Sequence, residues 1–228
     1  MKRKVAIISP AYDGKVVCNY TITMAEIFRL ASKEHPNLEL RLQFWMYEAL
    51  LQKARNNLFC DALDAGVDDV VFIDCDQSFA PQAFFAVLAH PVDVVGVPVR
   101  MKTEEERYNI RPEHPLRHDY NFGLDLIEVE NIGTGFLRLS RKAMQALANA
   151  SPTYNDGGKL RKMICDLQII DGGLISEDIQ ICTKLREAGF KIYVDPKFTC
   201  KHFGTKCYEG DYHAHYRSYF AEESNEAP

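Results

Sequence analysis

A chain of 228 residues with 46% hydrophobic, 26% charged and 11% aromatic residues has the makeup of a globular protein that buries a substantial core. Its 27 basic and 32 acidic side chains leave a net charge of −5. That excludes disorder as the main state and gives no footprint for general nucleic-acid or membrane-surface binding, although a local basic groove stays open. No apolar run approaches the roughly 18 residues of a membrane span. The apolar stretch behind Met1-Lys2-Arg3-Lys4 is shorter than the roughly 7–15 residues of a secretory leader and reads as a first strand. Cysteines 18, 60, 75, 165, 182, 200 and 207 are scattered without a C-x-x-C pair, which suggests reduced thiols in a cytoplasmic setting.

In chain order, residues 5–9 form a short apolar strand that stops at Pro10. Residues 16–35 carry apolar positions at helical spacing and end before Pro36, and 38–44 alternate as a half-buried strand. A second helix spans 47–65, closed by Gly66, and the β-branched run 70–73 has the look of a central parallel strand. A short helix over 81–90 and a strand over 92–97 complete an alternating pattern that argues an α/β fold with a mostly parallel sheet. A polar excursion over 101–130 then leaves the sheet and returns as a strand at 124–129. Residues 133–140 read as a strand, 141–150 as a helix and 155–159 as a turn-rich loop. Ser176 is placed to cap a helix over 177–188, residues 192–194 form a final strand, and the tail over 221–228 looks frayed. Without a linker or repeat, residues 1–220 are expected to be one domain.

The sharpest feature is Asp74-Cys75-Asp76 directly behind the buried strand. Ligands bind outside the carboxyl ends of strands in open α/β sheets. If the strand's alternation continues, Asp74 and Asp76 project to one side and Cys75 to the other. Two adjacent carboxylates repel unless a cation or hydrogen-bond donors share the site, and a hard divalent ion such as Mn²⁺ or Mg²⁺ resolves that conflict. A solvated turn is the bland alternative.

The surrounding motifs carry a resemblance. Ser9-Pro10-Ala11-Tyr12-Asp13-Gly14, Ala54-Arg55-Asn56-Asn57, Phe72-Ile73-Asp74-Cys75-Asp76, Gly133-Thr134-Gly135-Phe136, Ser176-Glu177-Asp178 and Asp195-Pro196 with His202-Phe203-Gly204 occur in that order. Together they resemble compact, family-2-like glycosyltransferases of the GT-A type, from residue 5 to about residue 211. The resemblance implies a GT-A, Rossmann-like, mostly parallel sheet flanked by helices, with a smaller antiparallel part in the C-terminal half. It also implies transfer of a sugar from a nucleotide sugar, UDP-linked foremost, to a hydroxyl of a glycan, a polysaccharide or a modified base in viral DNA.

On that resemblance Pro10, Tyr12 and Asp13 face the nucleotide, and Asp76, His202 and Asp74 hold Mn²⁺ or Mg²⁺, with Asp74 nearer the ribose. Asp178 is the general base or an acceptor-orienting carboxylate, and Glu177 orients the acceptor or merely complements the helix dipole. Arg55 pairs with the diphosphate or with Asp74. Gly133 and Gly135 mark close backbone approach to a ligand, or a bulge. Arg100 or Lys102 contacts a phosphate or sugar, although this stretch departs from the family's Tyr-Pro pattern. The excursion over 103–121, with Arg100, Lys102, Arg107, Arg111 and Arg117 in or beside it, is the expected acceptor region, and residues 200–215 are a closing tail or a surface appendage. Two other functions stay in view. A sugar nucleotidyltransferase is disfavoured because Pro10-Ala11-Tyr12-Asp13-Gly14 is not a glycine-rich basic loop, and a non-catalytic binding module has no need of Asp178.

Overall fold

The computed structural model describes residues 2–112, 119–121 and 123–223. The first half alternates strand and helix: β1 (Arg3–Ala11), α1 (Cys18–Glu34), β2 (Leu38–Met46), α2 (Leu51–Asp64), β3 (Asp69–Ile73), β4 (Gln77–Ser78), α3 (Pro81–Ala89) and β5 (Val94–Gly96). The excursion contains β6 (Ile110–Arg111) and β7 (Tyr120–Asn121), followed by β8 (Leu126–Val129), β9 (Asn131–Ile132), β10 (Phe136–Ser140) and α4 (Arg141–Asn149). Two hairpins come next, β11 (Thr153–Asp156) with β12 (Lys159–Lys162) and β13 (Gln168–Ile170) with β14 (Gly173–Ile175). The chain continues through α5 (Glu177–Glu187), β15 (Ile192–Val194), β16 (Lys201–Phe203), β17 (Cys207–Tyr208) and α6 (Tyr212–Glu223).

One sheet organises the molecule, in the order β2-β1-β3-β10-β5-β15-β8-β7. β10 and β8 run against the other strands, so the sheet is mixed but mostly parallel in direction. Alternation decides what each face buries. Val5 and Ile7 join Val71, Ile73, Val95 and Val97 under α1 and α3, while Ala6 and Ile8 join Val70, Phe72 and Leu137 under α2, α4 and α5. A small sheet β17-β16-β4 lies beside the carboxyl end of β3. It brings His202 opposite Gln77.

Several boundaries differ from the sequence reading. β1 runs through Pro10, which falls past Ile8, where pairing with β3 ends, so the missing N–H lies outside that ladder. The expected strand 133–140 starts only at Phe136 as β10, and its Gly-Thr-Gly segment is a connection from β9, which precedes it. Both hairpins escaped the sequence reading. Their tips, Gly157 (φ +58°) with Gly158 (φ +90°) and Asp171 (φ +50°) with Gly172 (φ +80°), have the left-handed backbone that two-residue hairpin turns demand. β15 is not the final strand, and α6 reaches Glu223, into the tail expected to fray; 224–228 lie outside the described residues. The described cysteines are free thiols, and among the described residues no helix is long and apolar enough to cross a membrane.

At the opposite end of β3 from the acidic pair, Asp69 is buried between two arginines. Arg138 reaches it through Nε at 2.7 Å and again through Nη2, and Arg3 through Nε at 2.6 Å and Nη2 at 2.9 Å. Burial pulls the Arg138 guanidinium below its ordinary pKa against the opposing pull of Asp69. Removing the carboxylate leaves a buried cation without its partner. Asp69→Ala is therefore expected to lower unfolding free energy by about 3–5 kcal/mol in chemical denaturation. A loss near zero would show that the arginines find other partners.

Candidate active site

The site forms where β1, β2 and β3 end and α5 begins. Arg55 projects from α2 and is 4% exposed, which a guanidinium tolerates only with strong partners. Its Nη2 donates to both oxygens of Asp74, at 2.9 and 3.2 Å, and its Nη1 to Glu177 Oε1 at 2.8 Å. Burial opposes the charge, yet Asp74 and Glu177 outweigh it and raise the Arg55 pKa. Of the two partners expected for Arg55, the structure places it on Asp74. Asn56 and Asn57 on the same helix fix neighbouring segments: Asn56 exchanges hydrogen bonds with the Cys165 backbone (2.8 and 3.1 Å), and Asn57 donates to Asp156 (2.8 Å).

The alternation expected across Asp74-Cys75-Asp76 does not hold, because β3 ends at Ile73 and the acidic pair lies on a turn. Asp74 faces Arg55, whereas Asp76 faces the other way, toward Lys102 (Nζ to Oδ2, 2.6 Å) and His202 (Nε2 to Oδ2, 3.3 Å). Burial pushes the Asp76 carboxyl up, but His202 and Lys102 prevail and hold it below the ordinary aspartate range. Cys75 lines the same cleft as both aspartates, and burial with the two charges pushes its thiol up to about 11, so it stays neutral.

Asp76 and His202 are the residues that would hold a divalent cation. His202 Nδ1 lies 3.0 Å from the Arg100 carbonyl, which only accepts, so Nδ1 carries a proton; Nε2 faces Asp76, to which it donates when it carries a proton and beside which it would offer a lone pair to a bound cation when it does not. One carboxylate and one imidazole fit Mn²⁺ or Mg²⁺ when substrate phosphates and water complete the shell. Asp74, the third expected ligand, has both oxygens engaged by the Arg55 guanidinium. Among the described residues no three His, Cys, Asp or Glu side chains converge as a metal cage.

Between β9 and β10, each glycine leaves room for a carboxamide. A Cβ on Gly133 would lie 2.6 Å from Asn109 Nδ2, and one on Gly135 would meet Gln77 Nε2. The close approach expected at these glycines is thus made by the protein's own side chains. The Gly135 carbonyl also accepts from the Asp74 N–H at 3.1 Å, tying this segment to the acidic turn. Across from it, Asp178 opens α5. Its Oδ1 accepts from the Ser176 hydroxyl and from the Ile179 N–H at 2.9 Å, while Oδ2 faces Gly133. Ser176 occupies the cap position, but its hydroxyl orients Asp178 instead of capping backbone.

Three clefts meet here. One of about 290 Å³ lies among Pro10, Tyr12, Trp45, Glu48, Arg55 and the acidic turn. A second of about 260 Å³ continues past Arg55 and Asp74 to Gln77, Lys102, Gly133, Gly135, Glu177, Asp178 and His202. The third, about 500 Å³, shares Asp178 and Gly133 with the second and is walled by Met101, Arg107, Tyr108 and Arg111 of the excursion. The structure therefore brings together every expected site residue except Asp13, which lies on the surface paired with Lys15 (3.0 Å). Arg100 is buried and donates to loop groups including the Met101 (2.7 Å) and Thr103 (3.0 Å) carbonyls, and Arg107 pairs with Glu105 (2.9 Å). Arg100 thus organises the excursion from within, while Arg107 and Arg111 are exposed along the large cleft; Arg117 lies outside the described residues.

Trp45, Gln77, Asn109 and Thr134 were not singled out in the sequence. Trp45 had a usable signal: it closes β2 opposite Pro10, at the carboxyl end of a strand. Gln77 and Asn109 had none, since only the crossing of β4, β16 and the excursion puts them over the glycines.

Two measurements probe this arrangement. Arg55→Met should lower unfolding free energy by about 3 kcal/mol, near the lower end for a broken buried pair because its carboxylates are partly exposed. A loss below about 1 kcal/mol would deny the bridge a structural role. Asp76, with its pKa depressed in the folded state, contributes stability above the ordinary aspartate range and loses it as pH falls through the lowered value. Thermal melts of Asp76→Asn should therefore show a shallower acid limb than the parent; an identical limb would remove Asp76 from the ion pair.

No family model matches the chain, and no curated protein sequence matches it. Solved structures do. A197 from STIV superposes with a TM-score of 0.53 over 90% of this chain and 86% of that one, at 14% identity. Residues 1–349 of S. aureus TarS match 85% of this chain at 14% identity and a TM-score of 0.43, and this chain spans 58% of that fragment. A glycosyltransferase involved in glycosylation of the major capsid of PBCV-1 matches 62% of each chain at 12% identity, with a TM-score of 0.34. By its sheet order and its likeness to A197, the chain has an α/β fold of the GT-A type.

Proposed function

We propose that this chain is a glycosyltransferase that moves a sugar from a nucleoside diphosphate donor, a UDP-sugar foremost, to a hydroxyl acceptor. The observation that carries the reading is Asp178: one carboxylate oxygen is fixed by Ser176 and Ile179, and the other faces the junction of the 260 Å³ and 500 Å³ clefts. A base held between two clefts is what hydroxyl transfer between two substrates requires.

The nucleoside lies against Pro10, Tyr12 and Trp45, with the diphosphate near Asp76 and Lys102. The acceptor enters the larger cleft beside the excursion. Asp178 Oδ2 takes the proton of its hydroxyl as that oxygen attacks the anomeric carbon, and the bond from that carbon to the diphosphate oxygen breaks. Charge then gathers on the leaving diphosphate, where the Lys102 ammonium is in reach. A divalent cation held by Asp76 and His202 supplies Lewis-acid stabilisation there when bound. Glu177, engaged by Arg55, keeps the start of α5 against the acidic turn and so acts by positioning. One base on the acceptor side supports inversion at the anomeric carbon. Because Arg100 is enclosed by loop carbonyls and the chain carries a net charge of −5, a glycan acceptor is favoured over DNA.

The test is turnover of UDP-sugars, by hydrolysis or transfer, with and without Mn²⁺. Asp178→Asn should lower the rate by roughly 10²–10⁴-fold, the usual worth of a general base, with little change in donor affinity. Full activity in that variant, or no turnover and no nucleotide binding across common donors, would overturn the reading.

A further inference from the structure

The main sheet leaves one long edge bare. β2 spans nine residues and pairs along its whole length with β1, yet among the described residues no strand meets its outer side. At the other edge β7 has only two residues. An edge strand presents a row of unpaired N–H and C=O groups, and proteins usually guard it with proline, lysine, a bulge or shortness. β2 has none of these: Leu-Glu-Leu-Arg-Leu-Gln-Phe-Trp-Met contains no proline or lysine, and its register against β1 advances without a break. Its two charges cancel, since the Arg41 guanidinium donates to Glu39 Oε1 through Nη2 at 2.8 Å and Nε at 3.2 Å. Alternation puts Leu38, Leu40 and Leu42 on the opposite face, half-buried against the apolar layer under α1. A hollow of about 280 Å³ lies beside them, its walls including Phe28, Ala31, Pro36, Leu38 and Leu40.

A second copy of this strand fits the edge in one register. Two identical strands paired antiparallel about a two-fold axis keep the same face upward, and directly opposed residues share a face. The axis must therefore set one residue against its own copy, because a one-residue slip would turn the leucines over. Centred on Glu39 or on Arg41, it sets a charge against itself. Centred on Leu42, it sets Arg41 against Gln43 and Glu39 against Trp45. Centred on Leu40, it sets Glu39 against the second copy's Arg41, and Arg41 against that copy's Glu39. Leu38 then meets Leu42, Leu40 meets itself, and these leucines close over the hollow beside α1. Both charge pairs that each copy satisfies internally can be exchanged across the axis.

We infer that β2 is the docking edge for a second copy of this chain, which continues the eight-stranded sheet across a two-fold axis at Leu40. Main-chain hydrogen bonds supply the adhesion, and the Glu39–Arg41 exchange fixes the register. The inference stands apart from the chemistry proposed above. The paired stretch covers residues 38–42, so Trp45 and the 290 Å³ cleft that it lines lie beyond it.

Analytical ultracentrifugation of the full chain over a concentration series tests this directly, and the parent should show a reversible dimer. Arg41→Glu and Glu39→Arg each replace two attractive cross-strand pairs with two repulsive ones. Each should weaken association roughly tenfold or more, with the parent's circular dichroism spectrum retained. The double variant Glu39→Arg/Arg41→Glu restores both pairs in reverse and should recover the parent's affinity to within about threefold. Leu40→Cys should oxidise to a covalent dimer, because the Cα atoms of directly opposed residues lie about 4.5–5.5 Å apart; Leu42→Cys should not. A parent that stays monomeric throughout, a dimer that neither reversal weakens, a double variant as weak as the singles, or equal cross-linking from positions 40 and 42 overturns the inference.

Discussion

The Arg55 guanidinium is the constraint on which the site depends. A cation this deeply buried needs carboxylates, and it takes one from the turn behind β3 and one from the first turn of α5. Those groups are more than a hundred residues apart along the chain, and the arginine that joins them comes from a third element, α2. The bridge sets the distance between the acidic turn, which Asp74 begins, and the start of α5, where Asp178 follows Glu177. It also uses up the positive charge. Arg55 is left as a strut between the two halves of the site, and Lys102 and His202 pair with Asp76 instead.

A second constraint is the division of labour between the two aspartates. Had β3 continued, both would share a face and compete for one cation. Because the strand stops at Ile73, the turn rotates Asp76 away from Arg55 and toward β16 and the excursion. Each carboxylate thus meets a different cation, which relieves their mutual repulsion without requiring them to share one. The small sheet β17-β16-β4 makes this possible by carrying His202 back from the C-terminal part of the chain.

The excursion behaves as a built wall more than a loose loop. Arg100 binds its carbonyls from within, Tyr108 packs against Tyr212 and His215 of α6, and Lys206 pairs with Glu104 at 2.7 Å. Residues 200–215, left open between a closing tail and a surface appendage, therefore hold this wall in place. The closeness is strict at Gly210, where any side chain would run into Tyr108 and Glu106. The shape of the 500 Å³ cleft consequently depends on residues far along the chain that do not line it.

Much was legible in the sequence because it rests on local patterning. The alternation of apolar periods identifies the α/β class, and β3 and α5 lie within a residue or two of their expected bounds. The acidic pair, Asp178 and His202 are visible as residue types in a recognisable order. The first hairpin's tip is legible as the turn-rich loop over 155–159, and Asp171-Gly172 carries a similar local signal, but the short flanking strands, polar in the first hairpin and exposed in the second, lack a half-buried alternation. Other features lie beyond any local pattern. Whether Arg55 would meet a phosphate or Asp74, which way Asp76 would face, and why residues 133 and 135 are glycine depend on contacts between segments tens to more than a hundred residues apart. The residues themselves determined the class of fold and the chemical inventory, since both follow from periodicity and side-chain type. Only the tertiary structure decided which charges neutralise one another and which side chains meet across the clefts, because pairing depends on distance in space and local sequence does not encode it.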